Sequence, residues 1–146
     1  SMADGLANIL VEMQRRIFEV ERRLANQRRT GVIDEINHAK GVARVKIQGG
    51  DQPFRTGWIP WKEIAAGGIS THIPPTVGQQ VDVMSESGDL TDAVIDFSTH
   101  SNANPRPHDG PDAVITKGGV KLFISDDTVT IDAANITFTA ASGNLA

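Results

Sequence analysis

The stretch VKLFISDDTVTIDAANITFT, Val120 to Thr139, carries its apolar residues in couplets. Leu122-Phe123-Ile124, Val129-Thr130-Ile131 and Ile136-Thr137-Phe138 each set one apolar residue two positions after another, and the units recur every seven residues. Ile115 extends the first series upstream. A spacing of two then five makes no helical stripe, because residues two apart lie about 200° apart round an α-helix. Residues two apart do share one face of a strand. Thr116, Thr128, Thr130, Thr137 and Thr139 favour the same reading, and Gly118-Gly119 and Asp126-Asp127 supply corners. The fold class is therefore mainly β.

Each unit offers two inward side chains, too few for a core within one chain. Short repeats become stable by stacking or by packing against copies of themselves. Two arrangements remain open. One is a three-hairpin meander folded onto the rest of the chain. The other is a triple-stranded intertwined β-helix, or prism, in which a homotrimer supplies the missing neighbours. In the prism, Ile115, Leu122, Ile124, Val129, Ile131, Ile136 and Phe138 are the trimer-core candidates, with Thr, Asp and Lys outward. Backbone bonds between chains would leave little free edge and make a stiff body. Stiffness suits a mechanical part better than a catalyst.

Upstream, residues 30–100 alternate in short runs broken by turns, which predicts an OB-fold barrel. A first strand runs over Gly31 to Ile36 and turns through Asn37-His38-Ala39-Lys40-Gly41. Val42 to Ile47 gives a second strand, closed by Gly49-Gly50-Asp51. A third is expected from Phe54 to Trp61, limited by Pro53 and Pro60. Val77 to Met84 alternates again, turns through Ser87-Gly88-Asp89, and returns as Ala93, Ile95 and Phe97. The expected core is Val32, Val45, Ile47, Trp58, Ile59, Val81, Val83, Val94, Ile95 and Phe97.

Residues 1–29 predict an amphipathic helix. Leu6, Leu10, Met13, Ile17, Val20 and Leu24 follow steps of 4, 3, 4, 3 and 4, the seam that packs knobs into holes between helices. Ile9 and Phe18 are read as lying beside this seam and widening it. Asp4 is the expected N-cap and Thr30-Gly31 the stop. The helix either lies on its own domain or joins a self-associating bundle. Residues 101–112, rich in Pro and Asn, form a linker, and residues 113–146 form the β-helical segment.

Composition narrows the function classes. The 146 residues are 39% hydrophobic and 22% charged, so neither general disorder nor a membrane-spanning helix is indicated. Cysteine is absent, which removes disulfides, thiolate zinc sites and cysteine nucleophiles. Ser1-Met2 reads as a cloning remnant, with no signal peptide expected after it. Residues 1–29 hold six arginines against four acids, while the remaining 117 hold eight basic and fourteen acidic residues. An acidic body weighs against nucleic acid, whose binding rests on phosphate neutralisation.

No catalytic constellation stands out. A Gly-x-Ser-x-Gly elbow and metal-binding helix motifs are missing, and no enzyme activity is expected. Asp126-Asp127 and Asp89-x-x-Asp92 could hold calcium or exchange protons, but both sit at turns where Asp bonds its own backbone. The four histidines, His38, His72, His100 and His108, fall in turns or linkers and are read as solvated. Trp58 and Trp61 are a possible contact surface. They also support the alternative of an OB module that stacks single-stranded nucleic acid or oligosaccharide on its rings.

The order of parts resembles one family. A heptad helix leads to Arg28-Arg29-Thr30-Gly31-Val32-Ile33, then Ala43-Arg44-Val45-Lys46-Ile47, Trp58-Ile59-Pro60-Trp61 and Pro75-Thr76-Val77-Gly78-Gln79-Gln80-Val81-Asp82-Val83. Ser87-Gly88-Asp89-Leu90-Thr91-Asp92-Ala93-Val94 follows, and Asn104-Pro105 leads to the threonine-rich repeat. This is similar to the phage baseplate assembly protein V family, the central spike of contractile tails, over roughly residues 6–140. Pro75 to Val94 is the most specific stretch. The resemblance implies a homotrimer located in the virion tail baseplate and assembled in the host cytoplasm. It implies partners in the baseplate hub and tail tube, and a role in plugging the tube and puncturing the host outer membrane on sheath contraction. Longer members end in a metal-holding tip with a His-x-His motif. This chain has no such pair before Asn144-Leu145-Ala146, so no metal and no cofactor is expected here; a separate tip protein is a possible partner.

Overall fold

The structure, a computed structural model, describes residues 1–49 and 54–142. Gly50, Asp51 and Pro53, expected to close the second strand and limit the third, lie outside the described residues, as does Asn144-Leu145-Ala146. The chain divides into two units, Ser1–Asn104 and Pro105–Ala146.

The first unit opens with helix α1, Met2–Asn26. Ser1, not Asp4, is its N-cap: the Ser1 hydroxyl accepts from the Asp4 backbone N–H, while the Asp4 carboxylate adds favourable charge in the first turn. The helix stops earlier than expected. Its final residue is followed by Gln27 alone, and strand β1 already runs over Arg28–Asn37, through Thr30 and Gly31. Gly31 cannot be a helix stop because it serves the sheet. A Cβ there would come within 2.5 Å of Val45 Cγ1 and 2.8 Å of the Lys46 carbonyl oxygen. Glycine is what lets β1 approach its neighbour.

The strands β2 (Val42–Ile47), β3 (Phe54–Arg55), β4 (Ile59–Pro60), β5 (Gln80–Met84) and β6 (Val94–Thr99) complete the sheet, in the order β3-β2-β1-β5-β6 with β4 also on β2. All these pairings are antiparallel. β1 is long enough to pair β2 through its C-terminal half and β5 through its N-terminal half, with a bulge between Ile33 and Glu35. A parallel bridge from Trp61 to Ile95, with the Lys62 N–H donating to the Ile95 carbonyl at 2.8 Å, joins the two ends of the sheet. That curled, closed arrangement is OB-like.

The expected single strand from Phe54 to Trp61 is broken into β3 and β4. Thr56 explains the break. Its N–H donates to the Val45 carbonyl, but Val45 N–H donates to the Thr56 hydroxyl, which replaces a backbone carbonyl in the ladder at 3.0 Å. Thr56 is 3% exposed, so the substitution occurs inside the barrel.

The core consists of Ile33, Ala43, Val45, Ile47, Ile59, Val81, Val83, Ala93 and Ile95. Six of the expected core residues are among them. Val32 and Val94 are half-buried, and Trp58 and Phe97 are exposed, Phe97 at 76%. Parity decides each case. Ile33, not Val32, faces inward on β1. In β6 the register slips between the partners Val81 and Val83, so Ile95 opposes Val83 while Ser98 opposes Val81. This bulge breaks the alternation that would have carried Phe97 inward.

The second unit contains a meander of β7 (Ala113–Lys117), β8 (Val120–Ile124) and β9 (Val129–Asp132). It turns at Gly118-Gly119 and at Asp126-Asp127, as the corner residues suggest. Ile115 opposes Leu122, which opposes Ile131; Ala113 opposes Ile124, which opposes Val129. The sevenfold couplets thus gather on one face. The third couplet does not: Ile136 and Phe138 follow β9 outside any strand of this chain.

Candidate functional site

The described residues contain no cluster of three or more His, Asp or Glu placed to hold a metal, and no helix long and apolar enough to cross a membrane. What the chain presents is uncovered apolar surface in three places.

The first is α1. Not one of its 25 residues is buried, although Leu6, Leu10, Met13, Ile17, Val20 and Leu24 form a continuous stripe, each more than half exposed. At about 100° per residue these six fall within a narrow sector of the helix. Ile9 borders them. Phe18 does not: it sits with Val11 on a second row, about 120–140° away from the stripe. Between the two rows, Glu12 bonds Arg15 and Arg16, and Glu19 repeats the pattern one heptad later with Arg22 and Arg23. Hydrogen bonds from Arg15, then Arg16, hold the Glu12 carboxyl down to about 2, and those from Arg22 lower Glu19 likewise. These pairs organise the charged face without covering the apolar one.

The second is the meander face. Ile115 is 67% exposed, Val129 64% and Ile131 51%, with Ile124 also exposed and Leu122 half-buried. Ile136 and Phe138, unpaired, are exposed as well. The opposite face differs. There the Phe123 and His108 rings stand nearly perpendicular, with a centroid distance of 5.2 Å. His108 is therefore not a solvated loop histidine, for its Nε2 is buried without a hydrogen-bond partner. The other three histidines are exposed. The sequence offered one cue to His108, its place among prolines just before the repeat; its packing needed the fold.

The third surface lies on the barrel between the loop after β4 and β6. A cleft of about 550 Å³ is lined by Trp61, Ile64, Ile73 and Phe97 among others. Glu63 organises the loop. It accepts from Trp61 Nε1 at 2.6 Å, from the Thr71 hydroxyl at 3.0 Å and from the Ile73 N–H at 2.9 Å. These donors, the Ile73 N–H first, lower its pKa. No local pattern points to Glu63, because two of its three partners, Thr71 and Ile73, reach it only by chain reversal. Ile64 and Ile69 project from the loop at 82% and 80% exposure.

The two tryptophans expected as a contact surface separate. Trp61 is half-buried, its N–H committed to Glu63. Trp58 is 49% exposed, but Arg44 sits 5.8 Å from its ring centroid. The neighbouring cations Lys46 and Arg55 pair with Asp34, and Arg44 with Glu35. A stacking platform for phosphate-bearing strands needs free cations, and these are neutralised. The acidic pairs are structural. Asp89 caps the 3-10 turn Leu90–Asp92 by accepting from the Thr91 N–H, and Asp92 accepts from the hydroxyls of Ser85 and Ser87. Asp127 accepts from the Thr128 hydroxyl at its turn.

Comparison with known proteins places this geometry. Residues 29–100, the barrel, match the family described as Type VI secretion system/phage-baseplate injector OB domain. The chain is also 35% identical over 98 residues to the spike protein of Escherichia phage P2. The match covers 67% of this chain and 44% of that relative, so the chain spans less than half the relative's length.

Proposed function

This chain belongs to the phage baseplate assembly protein V family, and from that premise we propose that it is the central spike of a contractile tail or tail-derived bacteriocin, working as a homotrimer. The family is a structural one, and the role proposed is mechanical. One observation carries the reading. The barrel has its own buried core, whereas the helix stripe and the meander face remain exposed in a single chain. Surface of that extent in an isolated chain calls for partners. Three copies related by a threefold axis would cover both faces with the same residues, since cyclic oligomers repeat one heterologous contact.

In this reading Ile115, Leu122, Ile124, Val129, Ile131, Ile136 and Phe138 line the shared axis of an intertwined β-helix. The unpaired Ile136-Thr137-Phe138 segment gains strand partners from neighbouring chains. Leu6, Leu10, Met13, Ile17, Val20 and Leu24 meet in a three-helix bundle. The barrels form a ring against the hub and tube of the baseplate, closing the tube end. On sheath contraction the narrow β-helical end concentrates force on the host outer membrane, with a separate tip protein as a possible cap. Virion location and assembly in the host cytoplasm follow from the same role.

Light scattering of the purified chain tests the assembly and should report three times 15.6 kDa. A monomer at micromolar concentration would remove the basis of the spike reading. Fluorescence titration with single-stranded DNA tests the competing reading; tight, salt-dependent binding would favour an OB module for nucleic acid instead.

A further inference from the structure

The joint between α1 and the barrel is a single residue, Gln27. A helix with no buried side chain, attached by so short a link, has a direction only if something at the joint fixes it. The loop from Ser85 to Asp92 does so. The Ser85 N–H donates to the Gln27 carbonyl at 2.9 Å, and Gln27 Nε2 donates to the Glu86 carbonyl at 3.1 Å. On the far side of the joint, Arg29 donates to Asn26 Oδ1 at 2.9 Å.

Gly88 bears directly on the helix. Its φ is +76°, and a Cβ at this position would stand 2.5 Å from the Arg23 carbonyl oxygen, 2.7 Å from Arg23 Cα and 2.9 Å from its carbonyl carbon. All three are backbone atoms, which cannot swing aside as a side chain could. The loop is braced from behind. Ser85 is 2% exposed; its hydroxyl donates to Asp92 Oδ1 at 2.6 Å, and the Ser87 hydroxyl donates to Asp92 Oδ2 at 2.7 Å.

We propose that the loop from Ser85 to Asp92 is a fixed elbow that sets the direction in which α1 leaves the barrel, with Gly88 as its bearing surface. The elbow goes beyond the spike reading and does not depend on it. Its consequence for any assembly is preorganisation. A helix held at one angle presents its apolar stripe to neighbouring copies without first losing orientational freedom, which lowers the cost of association.

The test uses the full chain. Because cysteine is absent, Asn8→Cys together with Lys40→Cys takes one spin label on the helix and one on the turn between β1 and β2. Dilution with unlabelled chain isolates the intramolecular distance in a pulsed electron-spin measurement. A narrow distribution is expected for the otherwise native chain. Gly88→Asn is the decisive variant, since asparagine tolerates positive φ yet carries a Cβ. Relieving the contact requires about 1 Å at Arg23, four residues from Gln27. At Asn8, nineteen residues from Gln27, the same tilt becomes about 4 to 5 Å. The control is Gly41→Asn, at φ +66° with open space around it, which should leave the distance unchanged. A broad distribution in the native chain, or a Gly88→Asn distribution that superimposes on it, would overturn the proposal. Should Gly88→Asn not fold, Gln27→Ala decides instead: a broadened distribution supports the elbow, and an unchanged one overturns it.

Discussion

The barrel and the meander are both antiparallel sheets with alternating side chains, yet they solve burial in opposite ways. The barrel curls until its apolar faces meet, so Ile33, Val45, Ile47, Val83 and Ile95 are each at most 2% exposed. The meander has three strands and too little width to curl. Its apolar face therefore stays open, with Ile115, Val129 and Ile131 more than half exposed. The lesson concerns strand count more than hydrophobicity, because the meander residues are as apolar as those of the barrel. A sheet must close on itself, receive a helix or find another chain.

The largest effect is expected from Ile131→Asp. Under the trimer reading it places three charges on the shared axis and abolishes assembly, because unpaired buried charge is strongly unfavourable. Sedimentation should show single chains whose barrel still unfolds cooperatively; an intact trimer would mean that Ile131 points away from the axis. Ile95→Ala acts on the other side of the comparison. Truncating a fully buried barrel residue should cost about 2–5 kcal/mol in denaturant unfolding of the barrel, with no dependence on protein concentration. A strongly concentration-dependent effect would mean that the barrel also relies on its neighbours.

Thr56→Val should cost about 1–3 kcal/mol, since it leaves the buried Val45 N–H without its acceptor. A neutral result in the same unfolding measurement would show that a backbone carbonyl or water can take the hydroxyl's place.

The smallest effect should come from acid on the helix. Glu12 is held at about 2 in the folded chain, against an ordinary value of 4.5. A lowered carboxyl contributes stability that is fully present above its unfolded value and is lost as pH falls through the folded one. Helix content should therefore be flat above about pH 5 and decline between about pH 4.5 and pH 2. Glu12→Gln should flatten that decline in circular dichroism. The Glu12 ion pairs with Arg15 and Arg16 lie at the surface, so salt should also weaken the effect.

Much of the chain was legible in its sequence because the signals are local. The heptad stripe specified a helix, and Gly118-Gly119 and Asp126-Asp127 specified turns where the chain does turn. The couplets specified strands with one apolar face, as long as only Leu122-Phe123-Ile124 and Val129-Thr130-Ile131 are considered. Ile136-Thr137-Phe138 has the same pattern and no strand, because pairing also needs a neighbour at hydrogen-bonding distance. Phe97 failed for a related reason. Its alternation with Ile95 was correct as a pattern, but a bulge in β6 itself, where Asp96 and Phe97 together face Asp82, changed which face it occupies.

Local pattern settled periodicity: which segments alternate as helix or strand would, where the chain turns, and which residues need cover from water. Each of these depends on neighbours within a few positions. Tertiary structure decided what no short window contains: that Gly31 serves strand contact instead of stopping a helix, that Thr56 lends its hydroxyl to the ladder, and that Glu63 gathers a loop. It also decided that Gly88 meets the backbone of Arg23. Those outcomes depend on residues far apart in the chain arriving within a few ångströms, and chain closure alone settles which of them do.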